Sequence, residues 1–557
     1  MIRNFVLFAA LVFIVGGLAC AKDGGGGTTG EGGSPASGGS VGSGGANGSG
    51  GAVGSGGGNG SGGAVGSGGS HSGGAGGGGA TTGTGGSPGQ GGTTQGSGGS
   101  GGRGGSTGLA GATGTGGGVS GSGGSGSCTV TVQSSSLSSM ISTVGIVTFS
   151  TTASSPSEAH IDFGLDTSYG MTAPVDLSAA SYRTLLLGMK ASKTYHYRIS
   201  VTGKTGTCTS ADTSLATGAL PNGKLPNLTI TTKNAAALYG GFLVTGQFVM
   251  GGGSSGAPAF ILDKDGAYVW WYTVANGDVT GVTMSYDGKY LWTNSVNVPQ
   301  GTAHVHRTSM DGLTDEDDSS QFTGLSHQLT ILPDETVAFY AYGSNGCDDV
   351  KLRSPSGTVT TVVNAKTAHG GSAGCHVNGI YYDKSDDTLV FSDLDNNCLT
   401  KVTRSGQTVW VLNGGVGGIA STFNNGTLLW KGGEHGFHIL AANDILLFNN
   451  NSTINFGGGT WGSAAGDGSG SVALELKLDA TGKTATQVWS YKASPGIDNQ
   501  VLGDVQRLPN GNTIVDYATK GAIHEVDANG NVLQTITTSN SFGYMQKRAT
   551  LYGPPPR

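Results

Sequence analysis

The sequence predicts an all-β protein: a six-bladed β-propeller, preceded by a small β-sandwich and a disordered Gly/Ser-rich tether. Three observations support this. Two short strand phrases alternate six times along residues 225–557. Residues 128–218 contain short runs of alternating apolar and polar residues separated by Ser, Gly and Asp. About half of the 109 glycines lie before that, between Asp23 and Cys128.

Residues 1–20 have the pattern of an export signal. Arg3 supplies the positive charge, and residues 5–18 form an apolar stretch that is short for a transmembrane span. The stretch leads into residues 17–20, a phrase that ends in Cys20 and resembles a bacterial lipobox. We therefore expect an exported protein anchored in the bacterial cell envelope by lipid on Cys20, on the periplasmic or surface face of the outer membrane. An ordinary signal peptide with a chance cysteine is the alternative.

Residues 21–127 are expected to be a disordered linker, because Gly/Ser repeats cannot bury a core. A random coil of this composition spans on the order of 55–60 Å, enough to hold a folded domain away from a membrane. The net charge is −7 and no basic block is present, so nucleic acid is not an expected partner.

The cysteines fit an exported, oxidised protein. Cys128 and Cys208 bracket the small domain and are expected to pair. Two of the other three could also pair, but the sequence does not say which; they are Cys347, Cys375 and Cys398. No CxxC pair or HExxH motif occurs, so no metal site is predicted.

The small domain, residues 128–218, resembles a fibronectin type III sandwich. Its phrase from Leu187 to Met189, followed by the strand at 194–199, is similar to the region around the sixth strand of that fold. Tyr195 occupies the position of the tyrosine whose hydroxyl bonds back to the corner backbone. We expect a spacer or docking module.

Residues 225–557 alternate a strand–turn–strand phrase with a second strand phrase that opens the next unit. Asp-x-x-Gly cores supply the positive φ of tight turns. Six units of each type predict a six-bladed propeller, and units this long disfavour a β-helix. The last hairpin, near Ile536, is expected to close the ring with the strand near Leu243.

Three histidines open three successive copies of the second phrase: His327, His376 and His435. If this phrase is the innermost strand of each blade, the three rings converge at one mouth of the central channel. His438 is expected to be a strand residue and is the alternative site histidine. His304, His306 and His369 are expected in solvated connections.

Several phrases are similar to those of the bacterial aryl sulfotransferases that use no nucleotide donor. They occur in order at 376–383, 434–435, 447–451, 505–512 and 544–552. The resemblance runs through most of residues 225–557. It implies an exported six-bladed propeller that moves a sulfuryl group from a phenolic sulfate ester to a phenol, with no organic cofactor.

The resemblance also implies the site residues. His435 takes the role of a nucleophile that is transiently sulfurylated. His376 and His327 take the roles of partners that bind the sulfuryl oxygens and handle the phenol proton. Asn378, in the first matching phrase, is a substrate-binding candidate. A neutral imidazole is a competent nucleophile near pH 7.

This sequence departs from the family in one positively charged residue. The family carries an arginine downstream of the histidine equivalent to His376, and residues 391–395 here contain none. A guanidinium would offer forked, permanent positive charge to a sulfate. Lys431 and Arg507 are the candidate replacements. The alternative is a non-catalytic cell-surface binding propeller that has lost the sulfate-binding arginine.

Overall fold

The computed structural model describes residues 128–249, 256–275, 277–297, 302–343, 346–371, 374–414, 420–424, 429–456, 459–461 and 466–554. The predicted export signal, lipidated Cys20 and tether lie outside these residues. Within the described part, no helix combines the length and apolar character needed to cross a membrane. Almost all regular structure is strand, which confirms the all-β prediction.

The small domain is built from two antiparallel sheets. Its strands are β1 (Val130–Leu137), β2 (Gly145–Thr151), β3 (Glu158–Gly164), β4 (Met171–Pro174), β5 (Thr184–Leu186), β6 (Thr194–Gly203), β7 (Gly206–Thr209) and β8 (Thr213–Ala216). One sheet has the order β1-β2-β5 and the other β4-β3-β6-β7, with β8 also on β6. Phe149 of the first sheet packs in one core with Ile161 and Tyr197 of the second, because alternate residues of each strand face inward.

Two contacts tie this domain together. A disulfide joins Cys128, just before β1, to Cys208 on β7. The backbone N–H of Lys190 donates to the Tyr195 hydroxyl at 2.8 Å, so the ring is tied to the corner before its own strand. Both fit a fibronectin type III-like domain, which stays a prediction.

The rest of the described chain forms six four- or five-stranded antiparallel blades. The first blade contains β10 (Phe242–Phe248), β11 (Ala257–Asp263) and β12 (Tyr268–Val274). The second contains β13 (Gly281–Met284), β14 (Tyr290–Asn297), β15 (Thr302–Ser309) and β16 (Asp315–Asp317). The third contains β17 (Leu325–Ile331), β18 (Val337–Tyr342), β19 (Asp348–Arg353) and β20 (Val359–Asn364).

The remaining blades follow the same plan. The fourth contains β21 (Val377–Asp383), β22 (Thr388–Asp393), β23 (Cys398–Thr403) and β24 (Thr408–Asn413). The fifth contains β25 (Glu434–Ala441), β26 (Asp444–Asn449), β29 (Val472–Asp479) and β30 (Thr484–Lys492), with the hairpin β27 (Ile454–Phe456) and β28 (Gly459–Trp461) inserted. The sixth contains β31 (Asp504–Arg507), β32 (Thr513–Tyr517), β33 (Ala522–Val526), β34 (Val532–Thr538) and β9 (Leu228–Thr232).

Helical structure in the described residues is confined to short pieces in the connections. One α-helix, α1, spans Ala365–His369, and 3₁₀ turns occupy Ala180–Tyr182, Ala235–Ala237, Ser319–Gln321 and Ala518–Lys520. Gly370 follows α1 with φ 74°, a left-handed conformation that ends the helix.

The ring is closed at two neighbouring blades. The tail strands β35 (Ser541–Phe542) and β36 (Gln546–Arg548) pair with β10, where Leu243 lies opposite Lys547. The last hairpin strand, β34, instead pairs with β9, where Ile536 lies opposite Ile230. The expected pairing of the Ile536 hairpin with Leu243 is therefore wrong. The N-terminal strand β9 thus completes the sixth blade, and the C-terminal strands β35 and β36 complete the first. Both blades therefore have their edge strands paired.

Trp270 joins the first two blades. Its side chain is fully buried on β12, and its indole Nε1 donates to the Met310 carbonyl beyond β15 at 2.8 Å. Trp270 thus contributes buried apolar surface and a hydrogen-bonded indole N–H to the contact between the two blades.

Trp270→Ala is expected to destabilise the propeller by about 3–5 kcal/mol, because it leaves a large cavity and an unpaired carbonyl. The shift of the urea unfolding midpoint measures this. Val488→Ala on β30 is the control, since Val488 is 49% exposed. Equal midpoints for the two variants would show that Trp270 does not hold these blades together.

Candidate active site

The three predicted histidines lie at the starts of three adjacent inner strands. His327 is the third residue of β17, His376 directly precedes β21, and His435 is the second residue of β25. β21 contacts both β17 and β25. The ring centroids of His327 and His376 are 5.2 Å apart, and those of His327 and His435 are 6.0 Å apart. The structure therefore brings the three imidazoles together.

Each of these inner strands is irregular at the site. The pairing register shifts between Leu325 and Leu329 on β17, between Val377 and Ile380 on β21, and between Glu434 and Phe437 on β25. Such bulges bend a strand and re-aim its side chains. His327 itself has φ 41°, an uncommon conformation for a non-glycine residue, and its carbonyl accepts the Asn294 amide at 2.8 Å. Local backbone irregularity thus directs the rings to one place.

Asn450 fixes the orientation of His435. The Asn450 Nδ2 donates to the carbonyls of Asn499 at 2.8 Å and Leu502 at 2.9 Å. Its Oδ1 must therefore face the imidazole, and it lies 2.7 Å from His435 Nδ1. Nδ1 consequently donates its proton to Asn450, and neutral His435 carries its lone pair on Nε2.

Burial keeps this ring neutral. It lowers the pKa of His435 to about 3, with a small contribution from His376, although the Asn450 contact acts in the opposite direction. Burial also lowers the pKa of His327 well below its usual value, and the neighbouring His376 and His435 add to that effect. His327 Nδ1 lies 2.6 Å from the Ser326 hydroxyl.

His376 is placed by the end of β22. Its backbone N–H donates to Asp393 Oδ1 at 3.1 Å, and its carbonyl accepts the Leu394 N–H at 2.8 Å. Burial lowers the pKa of His376, while Asp395 and Asp393 oppose that shift. The stretch where the resemblance leads us to expect an arginine therefore supplies carboxylates.

Polar groups lie beside the histidines. Asn378 Nδ2 donates to the Glu434 carbonyl at 2.7 Å, and the Tyr544 hydroxyl donates to the Asn378 carbonyl at 2.8 Å. Asn378 Oδ1 and Glu434 Oε1 are buried and meet no hydrogen-bond donor among the residues that the structure describes. Burial raises the pKa of Glu434 well above its usual range, which favours the protonated form of this carboxyl.

Of the two proposed cations, Arg507 is not brought to the histidines. Its guanidinium pairs with Glu475 and stacks over Trp489, 4.8 Å from the ring centroid, on the outer strands of the fifth blade. Lys431 is half-buried in the connection before β25.

His438 packs edge-on against Tyr381, with ring centroids 5.5 Å apart, and burial lowers the pKa of His438 to about 4.

Two histidines expected in solvated connections are buried. His306 lies on β15 with Nδ1 3.1 Å from Asp315 Oδ2, and that carboxylate raises the pKa of His306. His369 ends α1 with Nε2 2.9 Å from Asp393 Oδ2. The expectation was wrong because each ring has an aspartate partner that compensates its burial.

Comparison with known proteins relates part of this chain to a protein family. Residues 352–547 match the arylsulfotransferase (ASST) family. The arylsulfotransferase match contains His376, Asn378 and His435, and His327 precedes it. It supports aryl sulfotransferase activity in general terms. No curated protein matches the chain.

Solved structures similar to this chain are distant. TolB from Acinetobacter baumannii is 12% identical over 65% of this chain and 80% of its own, with a TM-score of 0.37. The periplasmic gluconolactonase PpgL from Pseudomonas aeruginosa is 12% identical over 56% of this chain and 100% of its own, with a TM-score of 0.35. The arylsulfotransferase assignment does not depend on either likeness.

Proposed function

We propose that this protein transfers a sulfuryl group from a phenolic sulfate ester to a phenol through a sulfohistidine on His435. The observation that carries the proposal is the Asn450 contact, which leaves a neutral His435 with its lone pair on Nε2. The arylsulfotransferase match over the segment that contains His435 supports it.

The first half-reaction forms the intermediate. Nε2 attacks the donor sulfur, an N–S bond forms, and the bond from sulfur to the phenolic oxygen breaks. The ring is then a sulfo-imidazolium whose Nδ1–H still donates to Asn450 Oδ1. The departing phenolate takes up a proton from solvent or from a neighbouring histidine that is protonated at that step.

The second half-reaction returns the enzyme. The acceptor phenol oxygen attacks the same sulfur, the N–S bond breaks, and the phenol proton is released. The ring centroid of His327 lies 5.2 Å from that of His376 and 6.0 Å from that of His435, which supports a role for the N–H groups of His327 and His376 in stabilising charge on the three sulfuryl oxygens. We assign them that role and the handling of the phenol proton, and we assign Asn378 to substrate binding.

The setting follows from the N-terminal sequence. We propose that residues 1–20 direct export, that lipid on Cys20 anchors the chain in the bacterial cell envelope, and that residues 21–127 tether the folded part. Small phenols and their sulfate esters would be the partners, with no organic cofactor.

Wild-type protein given a chromogenic aryl sulfate and a phenol acceptor should release phenol and form the new ester with ping-pong kinetics. Initial rates at several acceptor concentrations should give parallel double-reciprocal lines, and ³⁵S from a labelled donor should stay on the protein when acceptor is omitted. Converging lines would indicate direct transfer between two bound substrates, and an absence of phenol release would refute the activity.

A second function, a non-catalytic binding propeller, is favoured by one observation. Asp393 lies in the stretch that lacks the expected arginine, and its carboxylate is engaged by His369 and by the backbone of His376. It offers no positive charge to a sulfate. Saturable binding of an aryl sulfate by wild-type protein, without phenol release, would support this function over transfer.

A further inference from the structure

Two cysteines, a histidine and an aspartate meet beside the histidine site. We call Cys347, Cys375, His369 and Asp393 the thiol cluster. Cys375 Sγ lies 3.8 Å from His369 Nε2, which lies 2.9 Å from Asp393 Oδ2. The nearest donor atoms of His369, Cys375 and Asp393 all lie within 4.8 Å of one another. Cys347 Sγ is bonded to Cys375 Sγ, so a second sulfur lies next to this group of atoms.

Hydrogen bonds fix the orientation of the Asp393 carboxylate. Asp393 Oδ1 accepts the backbone N–H groups of His376, Asp395 and Asn396 at 3.0–3.3 Å. This leaves Oδ2 facing His369, where the Asn396 Nδ2 also donates to it at 2.9 Å. Ligating carboxylates in metal sites are oriented by hydrogen bonds of this kind.

The donor types match one class of ion. Thiolate sulfur, imidazole nitrogen and carboxylate oxygen are the ligands of tetrahedral Zn²⁺. His369 and Asp393 are buried, whereas Cys375 is half-buried. In the disulfide the sulfurs are uncharged and poor ligands, and His369 pairs with Asp393 instead.

We propose that reduction of the Cys347–Cys375 disulfide creates a zinc site whose ligands are Cys347, Cys375, His369 and Asp393. A dithiol reductant supplies two electrons and two protons: its own sulfurs join, the protein S–S bond breaks, and two thiols form. The ion then displaces both thiol protons to solvent and takes the place of the contact between His369 and Asp393.

One local change accompanies binding. The Gly371 N–H donates to His369 Nδ1 at 3.0 Å, so the proton of the neutral ring is on Nε2. When Nε2 binds the ion, this proton moves to Nδ1 and the Gly371 peptide turns away. Gly370 precedes it with φ 74°, and a pair of glycines permits that rotation.

Cobalt(II) tests the site, because four-coordinate cobalt thiolates absorb strongly. The full-length chain is reduced with a phosphine, which takes oxygen from water to become the phosphine oxide while the two hydrogens pass to the sulfurs. Reduced wild type should then show a thiolate-to-cobalt charge-transfer band and intense visible bands, saturating near one ion per chain. The oxidised chain should show neither.

Variants locate the ion. Cys375→Ala should lose the charge-transfer band, and His369→Gln, which keeps both thiols, should weaken cobalt affinity by about tenfold or more. His306→Gln is the matched control, because His306 is also buried against an aspartate but is absent from the thiol cluster. Its affinity should equal that of wild type.

The proposal is overturned if reduced wild type shows no charge-transfer band. It is also overturned if the band survives unchanged in Cys375→Ala, since the ion would then be held without Cys375. Should Cys375→Ala fail to fold, wild-type affinity in His369→Gln would refute the site.

Discussion

His435→Ala should reduce phenol release from an aryl sulfate by about 10³-fold or more, because it removes the atom that forms the N–S bond. Loss of a nucleophile affects both half-reactions, so the exchange of sulfuryl groups between donor and acceptor should fall in parallel. The assay is the initial rate at saturating donor, together with ³⁵S retention after rapid removal of free donor. The variant should retain no label.

His438→Gln is the control for this experiment. His438 lies three residues further along the chain and is a half-buried, neutral histidine, but its ring packs against Tyr381 and its Nδ1 accepts the Arg507 backbone N–H at 3.3 Å. Glutamine keeps an acceptor there, so activity should remain near wild type. Full activity in His435→Ala, or its loss only in His438→Gln, would exclude His435 as the nucleophile.

The convergence of the three imidazoles could be predicted because repeated units place equivalent residues at equivalent points of a closed ring. His327, His376 and His435 open the same phrase, and that phrase is the inner strand of each blade. The bulges that aim the rings could not be predicted. A bulge arises where an inner strand has one more residue than the strand it pairs with. The alternation of apolar and polar residues in the sequence does not reveal that extra residue.

Arg507 was expected at the histidine site, but its side chain points to the other face of its strand. Gln506 faces the first blade, where its side chain exchanges hydrogen bonds with the backbone of Lys547. Successive side chains on a strand point to opposite faces, so Arg507 faces the fifth blade and Glu475. The family phrase identified the strand, but the face requires knowledge of which blades lie on each side.

Asn450 and Asp393 act through partners that are distant in sequence. Asn450 depends on carbonyls at Asn499 and Leu502, and Asp393 pairs with His369 at the end of α1. From the sequence alone, the asparagines around Asn450 and the histidine His369 beside two glycines are expected to be ordinary loop residues. Their roles arise only when connections from different strands meet beside the histidines.

Asn450→Ala should reduce turnover by about 10²-fold or more, with a smaller change in KM, because His435 would no longer be held with its lone pair on Nε2. A second variant separates this positioning role from a general loss of structure. Asn450→Asp puts a carboxylate beside Nδ1 and raises the pKa of His435 from its value of about 3.

The sign of the pH effect follows from which form of His435 reacts. Protonated His435 has no lone pair on Nε2, so the rate falls as pH drops through its pKa. In wild type this loss lies well below pH 5, and kcat should stay level between pH 5 and 7. In Asn450→Asp the acid limb should move to higher pH while the rate at pH 8 recovers relative to Asn450→Ala. A purely structural defect lowers kcat at every pH without moving the limb, so an unmoved limb in Asn450→Asp would show that Asn450 does not set the protonation of His435.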